Sequence, residues 1–204
     1  VKETRPTGLR IVRPMGGKSK ARNSRGGAKA AATEPVAAGP VRVLLLRHGQ
    51  RQSEQNATGR DMPDPHLTEL GCRQAGAWKG LIGALGAEVV LVSPLRRALQ
   101  TALLAYEGVD LPIEVCRHAR ELWWPEKANT LSTPEVLHEL LQGLPRGSEV
   151  CGIEAALGNM GPQTEQASIA ALKRELGSRP ESCVCIGAHR QPNKCRIAHA
   201  HSTR

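Results

Sequence analysis

Val41-Arg42-Val43-Leu44-Leu45-Leu46-Arg47-His48-Gly49-Gln50 decides how this chain is built. Six residues, apolar except for Arg42, follow Gly39-Pro40 and end in a cationic step. A short apolar run between turn-formers reads as a strand buried on both faces. Strands of that kind belong to parallel sheets covered by helices. Arg47, His48 and Gly49 then lie at the carboxyl edge of the sheet, where open α/β folds gather their chemistry.

Further along the chain, the polar residues 50–66 form a loop, and Thr68 is placed to cap a helix that starts at Glu69. Leu70, Ala77, Leu81 and Leu85 are expected to form its buried side, with Gly86 closing it. Val89–Val92 is the second strand. Ser93-Pro94 starts another helix, buried through Leu95, Leu99, Ala102 and Leu103. Leu111–Cys116 is the third strand, and Pro134 opens a helix through Leu141. Residues 143–162, with five Gly and two Pro, look like an excursion. An amphipathic helix over about 163–176 and a fourth strand, Cys183–Ile186, follow. Alternating strands and helices predict an α/β fold with a mostly parallel central sheet and helices on both faces. Cys183 and Cys185 should share one face of the last strand as small buried hydrophobes.

Composition sets further bounds. Aromatic residues make up 2% of the chain, with no Phe, so the core must be aliphatic. The net charge of +9 suggests nucleic acid until it is located. Residues 1–42 hold ten Lys and Arg against Glu3 and Glu34, which accounts for eight of the nine charges. A nearly neutral body is not expected to bind nucleic acid, whose partners carry their charge on the folded surface. Residues 1–40 read as a disordered basic leader and 41–204 as the folded domain. The leader's Arg-, Ala-, Gly- and Ser-rich composition fits a tail or an organelle transit peptide equally. The chain opens on Val1 and is expected to be a fragment or a processed product. Six cysteines without a regular framework suit a reducing, cytoplasmic setting. No apolar run approaches the 18 residues of a membrane span.

Three cationic groups fall just past strands: Arg47-His48, Arg96-Arg97, and His189 after Gly187-Ala188. Two histidines and two arginines at one sheet edge are costly unless an anion sits among them. A phosphoryl group meets that need, because guanidinium forks match its oxygens and an imidazole nitrogen can attack phosphorus. Gly49 would let the backbone approach such an anion closely.

The resemblance then becomes specific. LLLRHGQ (44–50), DPHLTELGCRQA (64–75), SPLRRALQTA (93–102) and RPESCVCIGAH (179–189) resemble, in order, four signature segments of the histidine phosphatase (phosphoglycerate mutase-like) superfamily. That resemblance implies His48 as the phosphorylated nucleophile. Arg47 and Arg97 would hold the phosphoryl oxygens, Gly49 and Asn56 would line the same anion site, and His189 would complete it. Arg96 is expected to be a solvated neighbour. RELWWPEKANT (120–130) is similar to a family segment that makes Glu121 the proton donor, with Glu126 as its rival and Ala128-Asn129 in place of a Cys-Asp pair. Trp123 and Trp124 either wall the pocket or pack beneath the loop. Glu54 stands where the family usually has Asn. With 15 residues after His189, the last helix and strand of the pattern are expected to be truncated or altered.

No metal or other cofactor is required by this scheme, since the cations are built in. His66, His118, His138, His199 and His201 carry no assigned role. The resemblance implies a phosphatase acting on a small or protein-bound phosphomonoester through a phosphohistidine. Phosphoglycerate mutase and a catalytically impaired phosphoanion-binding homologue are the alternatives.

Overall fold

Buried strands and amphipathic helices assemble as the patterning implies, in a computed structural model that describes residues 9–12, 41–52, 62–121, 127–158 and 164–188. The strands are β1 (Leu9–Val12), β2 (Arg42–Arg47), β3 (Val89–Val92), β4 (Ile113–Val115), β5 (Val150–Cys151) and β6 (Cys183–Ala188). They form one sheet in the order β1-β2-β6-β3-β4-β5, parallel throughout except for β1. The helices are α1 (Glu69–Gly76), α2 (Arg96–Ala105), α3 (Pro134–Gln142), α4 (Ile153–Leu157) and α5 (Glu165–Ser178).

Alternation along the strands separates two cores. Leu44, Leu46, Val90, Val92, Cys183 and Cys185 face Trp78, Ile82 and the apolar sides of α2, α3 and α4. Val43, Val89, Leu91, Val184 and Ile186 face Leu172 and Leu176 of α5 and the turn at Arg117–Ala119. Both cysteines of β6 are buried on one face, as small hydrophobes there should be. Among the described residues no helix is long and apolar enough to cross a membrane.

Three expectations are corrected. Leu9–Val12, inside the supposed leader, pairs antiparallel with β2, Leu9 opposite Leu46 and Val12 opposite Val43. Ile and Val favour extended backbone, and β2 otherwise presents an unpaired edge. The excursion at 143–162 carries a fifth parallel strand, β5, and helix α4. Two residues are too few to leave a periodic signal.

The third is the helix expected from Glu69 through Leu85: α1 ends at Gly76, turns and a 3-10 turn at Gly83–Leu85 follow it, and the inward side of the whole segment differs. Thr68 does cap α1, its hydroxyl accepting the Gly71 N–H at 2.9 Å, but Leu70 and Leu81 are 42% and 52% exposed. Gly71, Ala75, Trp78 and Ile82 turn inward instead. Gly71 is there because a Cβ would overlap the Gln50 carbonyl oxygen, and a Cβ on Gly49 would overlap the carbonyl oxygen of Gly71. The start of α1 and the chain leaving β2 thus touch backbone to backbone, which only glycine permits.

Candidate active site

β2 delivers Arg47, His48 and Gly49 to its carboxyl end, beside the end of β6, where Arg47 is in register with Ala188. Arg47 is exposed, whereas His48 and Gly49 are buried. The loop is pinned from two sides. Gly49 N–H donates to Thr101 Oγ1 of α2 at 3.1 Å, and Gln50 N–H donates to Gln74 Oε1 of α1 at 2.8 Å. Thr101 Oγ1 in turn donates to the Arg97 carbonyl at 2.7 Å.

His48 Nδ1 lies 2.7 Å from the Gly49 carbonyl oxygen. A carbonyl can only accept, so Nδ1 carries the proton and Nε2 the in-plane lone pair. Burial, then the charge of Arg97, and more weakly those of Arg47 and Arg51, push the His48 pKa down to about 3 against the pull of the Gly49 bond. A protonated ring would be a further cation among arginines in a poorly solvated place. The ring is therefore neutral at pH 7, and more completely so than an ordinary histidine of pKa near 6.5.

Arg97, in the first turn of α2, is 0% exposed. Its Nη1 donates to the Ala128 carbonyl and its Nη2 to Asn129 Oδ1, each at 2.7 Å. Glu121 Oε2 stands 3.8 Å from Nη2 and Asp64 Oδ1 4.0 Å from Nη1. A buried guanidinium needs such acceptors to offset its desolvation. Glu121 itself remains partly exposed.

Of the residues singled out from sequence, Arg47, His48, Gly49, Arg97 and Glu121 are brought to one neighbourhood. His189 and Asn56 lie outside the described residues, as do Glu54, Trp123, Trp124 and Glu126. Ala128 and Asn129, which stand in place of the Cys-Asp pair, accept from Arg97. Arg96 is not a solvated neighbour: its Nε donates to the Asp64 carbonyl at 2.6 Å, and its Nη1 lies 2.7 Å from His66 Nε2. An arginine can only donate, so His66 accepts there and has a structural part.

Sequence reading missed Arg51, Asp64, Ser132 and Arg120. Arg51 contributes to the field on His48. Arg120 Nη2 donates to the Asn129 carbonyl at 2.8 Å. Asp64 had one visible signal, an Asp-Pro step in the segment before Leu67-Thr68, which reads equally well as a plain turn.

Comparison with known proteins extends this picture. The family description "Histidine phosphatase superfamily (branch 1)" matches residues 43–204. A bifunctional protein of Mycobacterium tuberculosis is 39% identical over 77 residues, 37% of this chain and 21% of that protein. A glucosyl-3-phosphoglycerate phosphatase of the same species is 34% identical over 80 residues, 39% of this chain and 36% of that one. The matched stretches thus span about a fifth and about a third of those relatives' lengths. The crystal structure of an ecdysone phosphate phosphatase from Bombix mori, in complex with tungstate, superposes with a TM-score of 0.50 at 18% identity, covering 72% of each chain; it shares the fold. With the family match running from β2 through β6, the chain belongs to the histidine phosphatase superfamily.

Proposed function

We propose that the chain is a phosphomonoester phosphatase that works without a metal through a phosphohistidine on His48 Nε2. The observation that carries this reading is the state of His48: a buried, neutral imidazole, its Nδ1 proton held by Gly49, in the field of Arg97, Arg47 and Arg51. A lone pair surrounded by cations is suited to attack a phosphorus that bears negative oxygens.

In the first step Nε2 attacks phosphorus in line and the ester P–O bond breaks. Glu121 gives its proton to the leaving alkoxide. Arg47 and Arg97 stabilise the charge spread over the equatorial oxygens, with His189 completing the set. In the second step Glu121 takes a proton from water, water oxygen bonds to phosphorus, and the N–P bond breaks. Inorganic phosphate leaves and His48 is restored.

Hydrolysis is preferred to isomerisation because a matched relative is named as a glucosyl-3-phosphoglycerate phosphatase. The substrate class is a small or protein-bound phosphomonoester. The test is to trap the enzyme with a labelled aryl phosphate and treat it with acid and with base. Acid-labile, base-stable label that is lost in His48→Ala is expected, together with loss of turnover. Phosphate transfer between phosphoglycerate isomers would favour the mutase instead. Tight phosphate binding with no label would favour an anion-binding homologue.

A further inference from the structure

Asp64 lies where three chain segments meet. It is almost wholly buried and holds φ at 39°, in the left-handed region that Asn and Asp enter more readily than other side chains. Its Oδ1 accepts the backbone N–H of Arg96 at 2.9 Å, and its Oδ2 accepts the Ser132 hydroxyl at 2.6 Å. Helix α2 has no cap of its own, since Leu95 at the N-cap position makes no side-chain bond. The first N–H groups of a helix otherwise lack partners. Asp64 reaches in from another segment to satisfy one of them, and brings negative charge where the helix dipole favours it.

The next residue of α2 is Arg97, and the links continue around it. Ala128 and Asn129 grip the Arg97 guanidinium at both terminal nitrogens. Three residues after Asn129, Ser132 returns to Asp64. The circuit therefore runs from Asp64 through the first turn of α2 to Arg97, on to Ala128 and Asn129, and back through Ser132. Two points hold the plane of the guanidinium, and Asp64 holds the two segments that provide them.

We propose that Asp64 is the positioning residue of Arg97: its carboxylate locks the start of α2 to the 128–132 segment and so fixes the guanidinium beside His48. This rests on the reading of Arg97 as a phosphoryl ligand. Asp64 is not itself expected to touch substrate. Its backbone conformation offers a clean control, because glycine adopts this φ without penalty while lacking the carboxylate. A residue needed only for the turn would be replaced by glycine at no loss.

The experiment measures the single-turnover rate of His48 phosphorylation by an aryl phosphate, in variants shown by thermal melts to be folded at the assay temperature. Asp64→Asn and Asp64→Gly should each slow it about 10- to 100-fold, the scale of a misplaced catalytic group. In an Arg97→Gln background the Asp64→Asn change should cost less than about 3-fold, because groups acting as one unit are not additive. Ser132→Ala, which removes one link and keeps the carboxylate, should cost about 3- to 10-fold. Full rate in Asp64→Gly, full rate in Ser132→Ala, or multiplicative effects of Asp64→Asn and Arg97→Gln would each overturn the proposal. Unaltered labelling in the variants with labelled wild type removes this proposal alone. An unlabelled wild type removes the phosphatase reading and this proposal with it.

Discussion

His48 Nδ1 is held 2.7 Å from the carbonyl oxygen of Gly49, the residue that follows it in the chain. The ring is thus oriented by its own backbone before any ligand arrives, and its charge state is set by burial and arginines. Because the pKa is pushed down to about 3, the His48 C2-proton resonance should stay in place from about pH 8 to about pH 5. A titration centred near 6.5 in the folded protein would contradict this.

The same shift has a consequence for stability. Above about pH 6.5 both folded and unfolded rings are neutral, and the contribution is whole. As pH falls below that value the unfolded chain takes up a proton that the folded state refuses. Stability then drains by about 1.4 kcal/mol per pH unit until the folded value of about 3 is reached. Urea unfolding of His48→Gln should show a shallower loss between about pH 6 and about pH 4. Parallel curves for the two proteins would rule this out.

Gly71 sets helix propensity against packing. Alanine in a helix is favoured over glycine by up to about 1 kcal/mol. At position 71, however, the added Cβ would overlap the Gln50 carbonyl oxygen. Gly71→Ala should therefore destabilise by about 1–3 kcal/mol despite its propensity. Gly76→Ala has nothing within reach of the new methyl and should gain a few tenths of a kcal/mol. Urea midpoints decide between them.

The neighbours Leu81 and Ile82 test which side of this segment is inside. Ile82 is 0% exposed against the core, so Ile82→Ala should cost about 2–5 kcal/mol. Leu81→Ala should cost less than about 0.5 kcal/mol. Equal costs in thermal or chemical denaturation would mean that the segment is turned the other way.

Cysteine reactivity separates surface from core. Cys151 is exposed and should alkylate in the native protein. Cys183 and Cys185 are buried, and burial pushes the Cys185 pKa up to about 12. Thiolate is the reactive form, so peptides carrying these two should be modified only after denaturation, as read by mass spectrometry.

What was legible in the sequence follows from the length and strength of each signal. β3 and α2 could be read because Val89–Val92 is uniformly apolar and Leu95, Leu99, Ala102 and Leu103 all fall inside. The order of the arginine and histidine segments placed His48 and Arg97 at one sheet edge. The inward side of α1 and the turns after it was misread because both Leu70, Ala77, Leu81 and the true set Gly71, Ala75, Trp78, Ile82 recur at helical spacing. Only contact with the Gln50 backbone distinguishes them, and that is a tertiary fact. β5 was invisible because two residues have no period. Asp64 and Arg96 were undervalued for a similar reason: their partners lie 30 or more residues away or are main-chain atoms, and neither leaves a trace in composition.

β6 lies between β2 and β3, and residue 42 lies beside residue 183. A ribosome would release β2 and β3 long before the strand that joins them. Through that interval both would expose buried-type edges to water, a state open to misassembly and to chaperone capture. The sheet can close only once β6, about 90 residues beyond β3, has emerged, so joining β2 to β3 is expected to be a late step in folding.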